Sequence, residues 1–303
     1  MIIVFLSDGW GAKHGGINAL STDLSIAVAD ELGDAGKVFA IARRPLAEET
    51  SNALKKNVRL ISLDKPHGID NFDVSWVHDI HRAVNECGCS SVDHWVGHDI
   101  KSGWAALEGA KSYGGSAALI HHMSYERYQP FKSDDPSNTD DKIQDQRELF
   151  AHDATLFGVG PLLRSSCAEI SGRHVNLIVP GFAEGSSNTS SNDRISAIVV
   201  GRLDGRNDRI KQGQLAVASF GNAIGQARSA GLLPSSLREP SLTILGVCEK
   251  ETAEITRLAE ERLGGALSIL PLPFDPDRDA LLQRLSRSNL AMMLSWHEGF
   301  GLT

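Results

Sequence analysis

The sequence predicts an α/β protein made of two Rossmann-like domains, and three observations predict it. Short apolar runs alternate with amphipathic segments over the first 181 residues. That is the pattern of βαβ units, which pair into a parallel sheet with helices on both faces. A glycine-rich loop follows the first apolar run and leads directly into a helical pattern. The alternation then breaks at 184–193 (Glu-Gly-Ser-Ser-Asn-Thr-Ser-Ser-Asn-Asp) and starts again. A polar Gly/Ser/Asn stretch has too little apolar surface to pack and reads as a flexible linker. The expected domains are therefore 1–183 and 194–303, joined by 184–193. A chain of 303 residues at roughly 150 per domain agrees.

Ile2–Leu6 reads as the first strand, stopping at Ser7-Asp8-Gly9, and Ser7–Gly16 as a loop with four glycines. Ile17, Leu20, Leu24, Ala27, Val28 and Leu32 recur at the spacing of one helix face, and Gly33 and Gly36 close that helix. Val38–Ala42 and Val58–Leu63 read as strands and Val74–Val84 as a helix. His94–Val96 is a short strand leading to Gly97-His98-Asp99, Ser102–Lys111 a helix, and Ala117–Ile120 a strand ending in His121-His122. Residues 129–141 are polar and contain proline, which predicts a mobile surface loop. Ile143–His152 follows as a helix and Thr155–Val159 as a strand. Pro161 suits a first helical turn, where its missing N–H is no loss. Val175–Val179 is a strand ending at Pro180-Gly181. In the second half Ile195–Val200, Leu242–Val247, Leu267–Leu270 and Leu290–Leu294 read as strands, with helices expected over Gln214–Ala230, Glu251–Leu263 and Asp277–Leu285.

Composition narrows the function. The chain is 41% hydrophobic and 22% charged, ordinary for a protein with sizeable cores, and its formal net charge is -8 with no Lys/Arg block. That argues against nucleic acid or an anionic membrane as main partner. No apolar run approaches the roughly 20 residues of a membrane span. The apolar N-terminus lacks the basic flank of a signal peptide. The four cysteines (Cys87, Cys89, Cys167, Cys248) are dispersed, which points to a reducing, cytoplasmic setting. The five tryptophans are also scattered and read as core or wall residues.

Candidate chemistry gathers beyond the carboxyl ends of the strands, where open α/β sheets bind ligands. Gly15 and Gly16 open the first helix, so a phosphate or sugar can approach backbone N–H groups at its positive end. Gly9, Gly11, Gly15 and Gly16 do not have the spacing of a dinucleotide fingerprint. His98, His121 and His122 stand at the ends of two strands, where an imidazole can bond a sugar hydroxyl or a phosphate. Strand alternation sends His121 and His122 to opposite faces, and the sequence does not say which one faces the site. No third ligand at a recognisable spacing supports a metal there. Asp99 and Lys101 are candidates for an acceptor pocket. Gly201-Arg202-Leu203 and Lys211-Gln212-Gly213 place a cation after a strand and another at a helix start, a pattern that read alone is one of solvated surface charges. Arg209 is the alternative to Lys211. The last stretch, Trp296-His297-Glu298-Gly299-Phe300-Gly301-Leu302-Thr303, puts a carboxylate and a glycine turn after the final strand.

Ser295-Trp-His-Glu298-Gly-Phe-Gly-Leu302 resembles the start of the E-x7-E motif of the retaining GT-B glycosyltransferases of group 1, the superfamily of glycogen and sucrose synthases. His14-Gly15-Gly16-Ile17-Asn18 resembles the family's Gly-Gly pair, and Arg202 with Lys211 its G-R-L…K-G element, here with a longer intervening loop. Gly158-Val-Gly160-Pro161 and Val179-Pro-Gly181-Phe182 resemble two architectural landmarks late in its first domain. The resemblance implies a GT-B fold, two Rossmann-like domains facing across a cleft. It implies transfer of a sugar from a nucleotide-diphosphate donor to an acceptor hydroxyl with retention, and no metal or other cofactor.

By the same resemblance Arg202 and Lys211 would stabilise the leaving diphosphate, and Glu298 would hold the donor sugar. Gly299, Phe300, Gly301 and Leu302 would present backbone donors. His121 or His122 would contact the sugar, and Gly15 and Gly16 would give room at the phosphate or acceptor. The motif's second Glu would lie beyond Thr303, so the C-terminal domain is expected to be incomplete, with further chain supplying that Glu, more βα units and a returning helix. The expected partners are a nucleotide sugar and an acceptor hydroxyl compound. Two alternatives remain open: a non-catalytic nucleotide-sugar-binding module on the same scaffold, and a GT-B nucleotide-sugar epimerase.

Overall fold

The computed structural model describes residues 1–64, 72–132, 137–181, 194–201, 212–233, 238–247, 251–254, 257, 268–273, 275 and 277–295. Most described residues up to Pro180 form one compact unit, and those from Gly181 to Ser295 a second. The expected linker, 184–193, lies outside the described residues.

In the first unit the strands are β1 (Ile2–Phe5), β2 (Lys37–Arg43), β3 (Val58–Leu63), β4 (His94–His98), β5 (Ser116–His121), β6 (Thr155–Val159) and β7 (Asn176–Ile178). The helices are α1 (Gly16–Leu32), α2 (Ala47–Lys55), α3 (Val77–Glu86), α4 (Asp99–Tyr113), α5 (Tyr125–Lys132), α6 (Ser137–Ala151) and α7 (Gly160–Ser171). The strands form one parallel sheet in the order β3-β2-β1-β4-β5-β6-β7. The chain runs outward from β1 to β3, then returns to β4 and runs outward the other way. The order therefore reverses between β1 and β4, and that crevice is where such sheets bind ligands.

The pleat explains why both faces are apolar. Val4, Leu6, Phe39, Ile41, Trp95 and Leu119 point to one side and join a core with residues of α3, α4 and α6. Ile3, Phe5, Val38, Ala40, Val96 and Ile120 point to the other and pack against α1, α2 and α7. Trp95 and Phe39 are fully buried. Gly97 lets α4 fold back onto β4: a Cβ there would lie 2.7 Å from the Cα of Gly103 and 2.8 Å from the Ser102 carbonyl oxygen.

One expectation is corrected. Of residues 129–141, expected as one loop, 129–132 end α5 and 137–141 begin α6, while 133–136 lie outside the described residues. Their polarity is that of a helix start, with Asp140 in the first turn of α6 beside the positive end of its dipole. Helix α2 is not visible as an apolar pattern, because its buried positions are Ala53 and the capping residue Glu49. Elsewhere β4 extends to His98, and α4 begins immediately at Asp99.

The second unit restarts the pattern with β8 (Arg194–Val200), α8 (Gly213–Ser229), β9 (Arg238–Leu245), β10 (Ser268–Leu272), α9 (Arg278–Ser286) and β11 (Leu290–Met292). Its parallel sheet has the order β10-β9-β8-β11, the same start-in-the-middle order as the first. Ala197, Val199, Leu242 and Ile244 pack against Val217, Phe220 and Ile224 of α8. The helix expected over Glu251–Leu263 falls largely outside the described residues. No helix among the described residues is long and apolar enough to cross a membrane.

Candidate functional site

The β1–α1 loop is shaped by side chains of the helix it enters. Asn18 accepts the backbone N–H groups of Asp8 and Gly9, each at 3.1 Å, and donates to the His14 carbonyl at 2.8 Å. Thr22 accepts from Gly11 N–H at 2.9 Å. Gly15 has φ 100° and ψ 171°, a conformation essentially confined to glycine. Gly16 begins α1, is exposed, and a Cβ on it would meet nothing within 4 Å. Of the two glycines, then, the backbone demands only Gly15.

Around this loop sits a ring of charge. Glu49 receives Lys13 at 2.8 Å and His14 at 3.0 Å, and accepts the Leu46 N–H at 2.7 Å as it caps α2. Burial pulls the Glu49 pKa up, but those three partners outweigh it and hold the carboxyl below its usual range. At the end of β1, Asp8 pairs with the buried Arg43 at 2.8 Å, and the Arg43 guanidinium lies 4.8 Å from the centre of the Trp76 ring. Desolvation raises the Asp8 pKa in spite of Arg43, Lys101 and His14.

The other wall of the switch point is made where β4 and β5 end. Ser102 Oγ donates to the Leu6 carbonyl at 2.6 Å and accepts His98 N–H at 3.0 Å, so it ties β1 to β4 there. Asp99 opens α4 with φ 42°, an unusual backbone for a non-glycine residue. Its carboxylate collects four donors. Oδ1 faces His121 Nδ1 at 2.8 Å and Gln146 Nε2 at 3.1 Å; Oδ2 accepts from the backbone N–H of His122 at 2.7 Å and of Met123 at 3.2 Å. His98 Nδ1 lies 2.8 Å from His122 Nε2. His98 is 1% exposed and His121 0%, whereas His122 is only partly buried. Burial, with His122 alongside, holds the His98 pKa well below its ordinary 6.5. Burial also pushes His122 down to about 4, against the pull of Asp99 and with the help of His121.

The structure thus brings Gly15, Gly16, His98, His121 and His122 to the carboxyl ends of β1, β4 and β5. Arg202, Lys211, Glu298, Gly299, Phe300, Gly301 and Leu302 lie outside the described residues. Asp99, expected beside an acceptor, is 1% exposed and serves to hold the 121–123 turn instead. Sequence reasoning missed Gln146, Asn18 and Ser102 as supports. A polar residue on an otherwise apolar helix face was the signal for Gln146 and Ser102.

The sequence model of the family described as "Family 4 Glycosyltransferase in conflict systems" matches residues 4–303. The chain belongs to that family. No curated protein matches the sequence. Among solved structures, the family 4 chain is similar to sucrose-phosphate synthase from Thermosynechococcus elongatus, at 17% identity and TM-score 0.68, with 99% of this chain and 77% of that one covered. It is similar to the E. coli trehalose-6-phosphate structure bound with UDP-2-fluoro glucose, at 11% identity and TM-score 0.59, covering 99% and 79%. It is also similar to UDP-GlcNAc 2-epimerase from Methanocaldococcus jannaschii, at 11% identity and TM-score 0.52, covering 96% and 78%. At such identities the likeness is one of fold, and the fold of this family 4 glycosyltransferase is the GT-B fold expected from its sequence.

Proposed function

We propose that the protein transfers a sugar from a nucleotide-diphosphate donor to an acceptor hydroxyl, with retention at the anomeric carbon. The observation that carries this reading is the assembly of Gly15, Gly16 and the histidine cluster at the switch point of a chain belonging to a glycosyltransferase family. The exposed N-terminus of α1 offers backbone N–H groups and a positive dipole end to a phosphate or sugar. His122, the least buried of the three histidines at the strand ends, is the one that touches the donor sugar, while His98 and His121 support it from behind. In this reading Arg202 and Lys211 stabilise the departing diphosphate as fixed cations, without a metal. Glu298 holds the sugar, and the backbone of Gly299–Leu302 holds the diphosphate. The departing diphosphate takes the acceptor proton. The domains meant are 1–183 on the acceptor side and 194–303 on the nucleotide side. Cys87, Cys89 and Cys167 are free thiols, which fits a reducing, cytoplasmic setting.

Calorimetric titration with UDP, GDP and ADP, with Lys211→Ala alongside, tests the donor site. Binding of one nucleotide that is lost in the variant supports it, and names the base for transfer assays in which the anomeric configuration of the product is read by NMR. Failure of all three nucleotides to bind would overturn it. An epimerase is the second reading, favoured by the fold likeness to UDP-GlcNAc 2-epimerase. Conversion of the sugar while still attached to the nucleotide, with no acceptor present, would decide for it.

A further inference from the structure

Two ring nitrogens in the cluster, His98 Nε2 and His121 Nε2, are buried with no hydrogen-bond partner among the described residues. Each restricts where the protons of its network can be. A buried N–H with nothing to donate to is rarer and costlier than a buried lone pair with nothing to accept. For His121 the assignment follows directly: Nδ1 faces the Asp99 carboxylate, so Nδ1 carries the proton, and Nε2 is the bare lone pair. Its ring packs edge-to-face against Phe150 at 5.3 Å between centroids.

The His98–His122 contact has two possible directions. If His122 Nε2–H donated to His98 Nδ1, a neutral His98 would carry its proton on Nε2, inside the core and facing nothing. If His98 Nδ1–H donates to His122 Nε2, His98 Nε2 is a bare lone pair, as in His121. The second arrangement leaves both buried ring nitrogens in the cheaper state. It also fixes His122. With Nε2 used as an acceptor, the proton of the neutral ring must sit on Nδ1, which has no partner among the described residues and is not among the buried unpartnered atoms. Asp99 prevents the turn from rotating away, because its Oδ2 grips the N–H groups of His122 and Met123.

We propose that His98 is a positioning residue that locks His122 in its Nδ1–H form, so that His122 presents a hydrogen-bond donor, and never a base, to the ligand. This rests on the donor-site reading above. It specifies the chemistry of that wall: the group bound at His122 must be an acceptor, a sugar hydroxyl oxygen or an oxygen of the diphosphate. It also assigns the acceptor's proton elsewhere, since the ring nitrogen that could take it is already bonded to His98.

The test is long-range 1H–15N NMR of the protein labelled on histidine, without ligand at neutral pH, beside the nucleotide titrations. The expected result is that His98, His121 and His122 are all protonated on Nδ1. In His98→Leu the His122 ring loses its lock and populates the Nε2–H form, and donor KM rises about tenfold, the factor for one lost hydrogen bond to a charged or polar ligand group. In His98→Asn the side-chain amide N–H replaces Nδ1–H. That variant restores the Nδ1–H form of His122 and recovers part of the affinity, which a role in packing alone would not do. An Nε2–H His122 in the unchanged protein overturns the proposal even if sugar transfer proceeds. The expected tautomers in a protein that binds no nucleotide overturn the donor-site reading and leave the His98–His122 lock standing.

Discussion

The two sheets have the same central order, yet they are finished differently. The first has apolar side chains packed on both faces, with one core under α3, α4 and α6 and another under α1, α2 and α7. In the second, the described residues form one core, centred on α8, while Leu270, Leu290 and Met293 are each nearly half exposed and α9 buries no residue. The difference bears on function. A site that must hold rings and backbone amides within a few tenths of an ångström needs supports that cannot repack. The switch-point cluster has them: Ser102 ties two strand ends, Asp99 grips four donors, and Asn18 shapes the glycine loop.

Truncating one side chain in each sheet tests this contrast most severely. Trp95 is fully buried in the central strand β4, and its indole N–H donates to the Gly114 carbonyl at 3.1 Å. Trp95→Ala is expected to cost about 3–5 kcal/mol, from lost burial and the cavity left behind. Leu270→Ala, on the edge strand β10 and 48% exposed, should cost only about 1 kcal/mol. Urea unfolding followed separately in the two units would show it. Equal losses would mean that the second sheet is as well covered as the first.

The histidine pair gives the next largest effect, through pH. In the unfolded chain His98 and His122 take up protons as the pH falls through about 6.5. In the folded protein His122 stays neutral to about 4, and burial with His122 alongside keeps His98 neutral well below 6.5. The unfolded state therefore binds protons first, so stability is complete above 6.5 and falls on acidification toward 4. The loss from His122 alone is on the order of 3 kcal/mol. His122→Asn should flatten the stability curve between pH 7 and 5. A curve of unchanged slope in that variant would place the acid sensitivity elsewhere.

Much of this arrangement was legible in the sequence, for identifiable reasons. The strand–glycine loop–helix at residues 2–32 announces itself through period and turn residues alone. The three strand-end histidines were found because the strands before them are apolar and short. Their pairing was not legible. His98 and His122 are 24 residues apart, and they meet only because His98 lies beside Ile120 in the β4–β5 register, two residues short of His122. Helix α2 and the start of α6 were missed because both carry polar residues where a helix turns to solvent or caps itself. Arg202, Lys211 and Glu298–Leu302 come from motif likeness, and geometry adds nothing to them among the described residues.

The smallest predicted effects separate structure from function most cleanly, because they come from two adjacent glycines. Gly15→Ala forces a side chain into φ 100°, ψ 171°, and should cost about 1–3 kcal/mol. Gly16→Ala does the opposite. The added Cβ meets no atom within 4 Å, and alanine is the better helix residue, so the protein should gain about 0.4–1 kcal/mol. If Gly16 were there only for the fold, the variant would simply be improved. If it leaves room for a phosphate or sugar against the N-terminus of α1, the more stable protein should bind its nucleotide-sugar donor or acceptor more weakly, since the methyl group occupies the approach to the backbone N–H groups. Melting temperature and ligand affinity measured on the same preparation would move in opposite directions. A rise in both would remove Gly16 from the site and leave Gly15 as a turn residue alone.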